Sequence, residues 1–214
     1  VRSLWEPATP GAVAATRIVL LPGAYHAPED LVEAGFLAAA RARRPRVDLQ
    51  FVDLELRHLT DRDALEGLRT QIVVPARAAG CASVWLMGAS LGGYIALDYA
   101  SLHPRDLRGI CLLAPFLGDR RVIAQIARAP GVAHWQPGPA DEDDMDRRIW
   151  RFIKTCGRGG PLVYLGCGRE DRYAFAHELL AAALPPGAAH RIAGGHDLAT
   201  WRVLWEMFLD STWL

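Results

Sequence analysis

Two periodicities alternate along this chain. Short apolar runs, of the kind that strands buried on both faces require, occur at Arg17–Leu21, Val84–Met87, Gly109–Ala114 and Pro161–Gly166. A plainer alternation of Val47, Leu49 and Phe51 puts another strand from Val47 to about Leu54, and His190–Ala193 reads as a last, weak one. Between these runs the period becomes helical. Pro28-Glu29-Asp30 opens a helix with proline early and acids in its first turn. Leu31, Ala34, Leu37 and Ala38 give its apolar face, and basic residues near Arg41–Arg44 close it. Asp61–Ala79 is the next, with Leu65, Leu68, Ile72 and Ala76 on one side and Pro75 expected to bend it. A helix follows Ser90 and ends at His103-Pro104, and another spans about Leu198–Leu209. Strand and helix in strict alternation imply a parallel sheet of about six strands with helices on both faces, a three-layer α/β/α sandwich.

The chain's 214 residues fit a single domain spanning 1–214. Residues 115–160 form one long excursion, expected to act as a small cap over the sheet. Asp119–Arg128 and Glu142–Lys154 are helical there, a loop from Pro130 to Pro139 carries His134 and Trp135, and the acidic run Asp141–Asp144 suits a solvated helix start.

The run Val84–Met87 leads into Gly88-Ala89-Ser90-Leu91-Gly92, and a helical pattern starts at once. A strand that turns directly into a helix strains its middle residue, and glycines on both sides remove the β-carbons that would clash. Ser90 is thereby pushed out at the top of the sheet as a nucleophile elbow. A serine hydroxyl needs a base, usually a histidine whose tautomer a carboxylate fixes. Of seven histidines, His196 alone after Ser90 lies in a glycine-flanked turn after a strand, Ala193-Gly194-Gly195-His196-Asp197. His103, His177 and His190 read as surface residues. Asp171 follows the strand Leu162–Gly166, where groups gather at the carboxyl ends of parallel strands, and its 25-residue distance from His196 holds one helix and one strand. Glu170 is its rival, and Asp119 a more distant one that suits a helix cap. Backbone donors for an oxyanion, worth about 3 kcal/mol each, fall to Leu91 and, in the loop after the first strand, to Ala24. Tyr25, His26, Phe116, Leu117 and Trp135 are the candidate pocket residues; Tyr25 and His26 either line it or pack their loop.

With these residues placed, the chain resembles the α/β-hydrolase superfamily from Arg17 to Leu209. Leu21-Pro22-Gly23-Ala24, Gly88-Ala89-Ser90-Leu91-Gly92-Gly93 and Gly194-Gly195-His196-Asp197 with Trp201-Arg202 stand in that family's order. The last of these is also similar to the end of esterases related to enterochelin esterase and S-formylglutathione hydrolase. The resemblance implies a minimal core with a small cap or none, and residues 1–16, short and proline-bearing, are expected to lack the family's opening hairpin. It also implies a serine hydrolase acting on a small carboxylic ester. A thioesterase or acyltransferase would use the same groups, and a non-catalytic small-molecule receptor would keep only the fold.

Composition narrows the remainder. Twenty-four basic residues balance twenty-four acidic ones, which offers no electrostatic basis for nucleic acid as a partner. No run reaches membrane-spanning length, and the default location is the cytoplasm. The cysteines at 81, 111, 156 and 167 lack metal-ligand spacing, and Cys111 and Cys167 suit buried free thiols. No metal and no organic cofactor is expected, and oligomeric state is left open.

Overall fold

The computed structural model describes residues 1–53, 62–138 and 144–214. The expected strand end at Leu54, helix starts at Asp61 and Glu142, loop end at Pro139 and acidic residues 141–143 lie outside the described residues. Seven strands form one sheet: β1 (Arg2–Glu6), β2 (Thr16–Leu21), β3 (Val47–Asp53), β4 (Ser83–Ala89), β5 (Gly109–Leu113), β6 (Leu162–Gly168) and β7 (Ala189–Ile192). Their order is β1-β3-β2-β4-β5-β6-β7, with β1 antiparallel to β3 and every other pairing parallel.

Successive residues of a strand point to opposite faces, and both faces here are covered. Val19, Leu21, Leu86 and Leu112 pack with helices α3 (Arg62–Leu68), α4 (Val74–Ala78), α5 (Leu91–Leu102), α6 (Arg120–Arg128), α7 (Met145–Lys154) and α8 (Ala174–Ala183). Ile18, Leu20, Trp85 and Met87 pack with α1 (Pro28–Glu33), α2 (Phe36–Arg43) and α9 (Leu198–Asp210). Because the crossovers run the same way, the loops after β2, β4, β5, β6 and β7 emerge at the carboxyl edge of the sheet. Residues of the expected cap, in α6 and α7, bury Val122, Ile126, Ile149, Trp150 and Ile153 in the first of these cores.

Two expectations need correction. The segment 1–16 does contain a strand, and polar bonds rather than apolar alternation hold it. Gln50 Nε2 donates to Ser3 Oγ at 3.0 Å, the Arg17 guanidinium lies 4.1 Å over the Trp5 ring, and buried Asp48 accepts the amides of Ala8 and Ala14. The helix expected over Pro28–Arg44 is two, broken at Gly35 in left-handed backbone (φ 86°); a β-carbon there would sit 2.2 Å from the Arg202 guanidinium. At Pro75, where a bend was expected, the helix carries a π-helical stretch, Arg69–Val73, which joins α3 to α4. The wider winding accommodates the hydrogen bond that proline cannot donate.

Candidate active site

Ser90 joins β4 to α5 with φ 49° and ψ −111°, outside the conformations that L-residues favour. Hydrogen bonds at both of its backbone groups hold it there. Its N–H donates to Leu113 O at 2.9 Å, and its carbonyl accepts from Phe116, Gly93 and Tyr94 at 2.9, 3.0 and 3.2 Å. The two motif glycines answer to close packing: a β-carbon on Gly88 would sit 2.2 Å from Gly92 O, and one on Gly92 2.1 Å from Leu21 O. Ser90 is itself 7% exposed.

The other two expected groups arrive from the neighbouring loops. His196 Nε2 lies 2.8 Å from Ser90 Oγ, and its Nδ1 lies 2.8 Å from Asp171 Oδ2. A carboxylate only accepts, so Nδ1 carries the ring proton and Nε2 is left bare toward the hydroxyl. Asp171 Oδ1 accepts the Tyr173 amide at 2.8 Å. Burial pushes the Asp171 carboxyl up, but the bonds from His196 and Tyr173 outweigh it and hold the group below its ordinary range. It is therefore an anion at neutral pH.

Both rival acids are occupied elsewhere. Glu170 Oε2 accepts the Gly194 amide at 2.6 Å, joining the loop after β6 to the loop after β7. Those loops also touch directly, the Glu170 N–H donating to Gly194 O at 3.1 Å, and a β-carbon on Gly168, the last residue of β6, would lie 2.0 Å from the same oxygen. Asp119 caps α6 by accepting the Arg121 amide at 2.6 Å. Tyr173 and Trp201 flank the His196 ring edge-on, with centroids 5.1 and 5.0 Å away. Burial raises the thiols of Cys111, of Cys156 (to about 12) and of Cys167 (to about 11), so none of these three is a thiolate near neutral pH.

The loop after β2 turns tightly, with His26 N–H donating to Gly23 O at 3.1 Å and Tyr25 in left-handed backbone at φ 69°. Only its third residue is left-handed, which is the pattern of a type II turn. A β-carbon on Gly23 would lie 3.4 Å from Ser90 Cβ, so this turn packs directly against the serine. The amides of Ala24, Tyr25 and Leu91 have no acceptor among the described residues. Leu91 opens α5, where the first N–H groups have no partner within the helix. The two expected donors, Ala24 and Leu91, are thus among the amides beside Ser90 left without an acceptor among the described residues.

The expected pocket residues divide. Tyr25 is 94% exposed, while His26 packs edge-on against Trp201 with centroids 5.7 Å apart. Phe116 is half-buried between Tyr94 and Tyr173, with centroids at 5.3 and 5.6 Å. Leu117 and Trp135 are both buried in the core on the α5 and α7 side, and the Leu117 carbonyl accepts the Trp150 indole N–H at 3.0 Å. Their loop positions suggested open side chains, but the segment folds inward onto α7.

Sequence reasoning also misplaced His177 and passed over Tyr173. His177 is a core residue, 1% exposed, because α8 packs the face bearing Ala176, His177 and Leu180 against the sheet. Its Nε2 lies 2.9 Å from Pro115 O. The available signal was the four-residue spacing from Tyr173, which puts both rings on the side of α8 nearest Asp171. Among the described residues no cluster of three or more histidine, cysteine or acidic side chains is arranged to hold a metal, and no helix is long and apolar enough to cross a membrane.

The sequence matches no protein-family model and no curated protein. Solved structures do resemble it. The carboxylesterase EstE1 from a metagenomic library superposes with a TM-score of 0.68 at 13% identity, over 97% of this chain and 82% of that one. Est1E from Butyrivibrio proteoclasticus gives 0.65 at 13% identity over 97% and 90%. S-formylglutathione hydrolase from Staphylococcus aureus gives 0.62 at 11% over 94% and 82%. The chain has the α/β-hydrolase fold.

Proposed function

We propose that this α/β-hydrolase fold serves a serine hydrolase that cleaves a small carboxylic ester through an acyl-enzyme. The observation that carries the reading is the unbroken hydrogen-bond chain from Ser90 Oγ through His196 to the Asp171 carboxylate. As Oγ adds to the ester carbonyl, the hydroxyl proton passes to His196 Nε2, and Asp171 stabilises the imidazolium. The carbonyl oxygen, now an anion, is held by the Leu91 amide and by Ala24 in the turn after β2. Collapse of this intermediate expels the alcohol, which takes the proton from His196 as it leaves. Water then repeats the sequence on the acyl-enzyme, releasing the acid and restoring Ser90. Tyr25, His26 and Phe116 border the approach.

A fluorophosphonate tests the reading directly. One equivalent is expected to label the protein covalently, and Ser90→Ala is expected to abolish labelling. An intact protein that binds small molecules yet refuses the label would be a receptor on the same fold. Turnover of oxygen and sulfur esters of one acid, then of acids of increasing length, separates esterase from thioesterase and sizes the acyl group.

A further inference from the structure

The hydrogen bond between His177 and Pro115 is not an isolated core contact. The Pro115 carbonyl and the Phe116 amide are the two ends of one rigid peptide plane and point in opposite directions. At one end Pro115 O faces His177 Nε2 at 2.9 Å; at the other Phe116 N–H donates to Ser90 O at 2.9 Å. A carbonyl cannot donate, so the neutral His177 ring carries its proton on Nε2, and its buried Nδ1 has no partner among the described residues.

The turn that presents this plane is itself strained. Ala114, just before it, has φ 48° and is held by its N–H donating to Gly166 O at 2.7 Å. A β-carbon on Gly93 would come within 2.8 Å of Pro115 Cβ, so α5 presses on the same turn from the other side. Strained backbone persists only where its surroundings over-determine it. Hydrogen bonds in series also reinforce one another in a buried setting. We infer that His177 is a positioning residue for the nucleophile: through the Pro115–Phe116 peptide it holds the strained Ser90 backbone so that Oγ points at His196. This rests on the hydrolase reading above and adds to it a residue that touches neither substrate nor the reacting atoms.

The test compares His177→Leu, which fills the space without a donor, with His177→Gln, which keeps one. Both are first checked for the wild-type melting profile. Relative to wild type, His177→Leu is expected to react to full amplitude with a fluorophosphonate but about tenfold more slowly, with kcat per titrated site down equally and KM within about twofold. His177→Gln is expected to recover to within about threefold of wild type. A purely structural role would lower the amplitude and leave the rate of the surviving sites alone. The nitrogen-15 spectrum of the wild-type imidazole requires no variant to fold. It is expected to show Nε2 protonated and Nδ1 bare, and the opposite tautomer would overturn the inference. Equal labelling rates in wild type and His177→Leu would overturn it too, while leaving the hydrolase reading intact. Failure of the wild type to label would remove both.

Discussion

The turns after β2 and after β5 both border Ser90, and both force a residue other than glycine into left-handed backbone: Tyr25 at φ 69° and Ala114 at φ 48°. Their surroundings differ sharply. Around Ala114, hydrogen bonds run to β6, to α8 and to the Ser90 carbonyl, and the residue is fully buried. Around Tyr25 one backbone bond closes the turn, and the ring stands in solvent. Similar backbone strain is thus locked in on one side and nearly unsupported on the other. In the proposed mechanism the locked side braces the backbone of Ser90, whose hydroxyl must give up its proton and needs fixed geometry. The lightly held side carries free amides and an exposed ring, which suit contact with a substrate.

Substitutions on the two sides should separate these roles. The largest effect is expected at Asp171→Asn, which forces the wrong His196 tautomer and lowers kcat about 10⁴-fold with little loss of fold. Steady-state turnover measures it, and a loss under about tenfold would mean that the braced side is not the reacting one. Gly92→Ala follows. Its β-carbon would lie 2.1 Å from Leu21 O, forcing α5 away from the end of β2. Urea unfolding is expected to show a loss of about 3 kcal/mol.

Third, Tyr25→Gly removes left-handed strain and almost no packing, so stability is expected to rise by up to about 1 kcal/mol while kcat/KM changes. Ala114→Gly also loses a buried methyl group and should gain nothing. Equal gains at both sites would erase the contrast drawn here.

The smallest effect is on pH dependence. Burial lowers the pKa of His177 from 6.5, although Pro115 O and the charge of Asp171 act the other way; the His196 and Arg191 charges act with burial. The unfolded chain therefore binds the proton more readily. The contribution of His177 to stability is complete above 6.5 and is lost as pH falls through the window beneath it. The melting temperature should drop more steeply between about pH 7 and about pH 5 in the wild type than in His177→Leu.

What the sequence disclosed follows from which interactions are local. Strands β2, β4, β5 and β6 announced themselves as apolar runs because both faces of each are covered, whereas β3 showed as an alternation and the partly exposed β7 only weakly. Ser90 was legible because strand, glycine, serine, glycine and helix are adjacent. His196 and Asp171 were legible because the loops that carry them each follow a strand. Strand β1 was not, because it pairs with β3 and is held by the side chains of Gln50 and Arg17, all distant in sequence. At the Gly35 break the chain meets the Arg202 guanidinium, which donates to Ala34 O from far along the chain, and the interior place of His177 is set by which face of α8 meets the sheet. Leu117 and Trp135 were read as open because nothing in their own segment reveals that Trp150 draws it inward.

The staple between Glu170 and the Gly194 amide, with Gly168 pressed against the same backbone, has a consequence for anyone who would rebuild this protein. Asp171 and His196 sit on separate loops, but neither loop can be exchanged alone. A different loop grafted after β7 would lose its anchor on Glu170, a new loop after β6 would remove that anchor, and any residue but glycine at the end of β6 would collide with Gly194. Residues 168–196 form an indivisible cassette, to be transplanted whole or left in place.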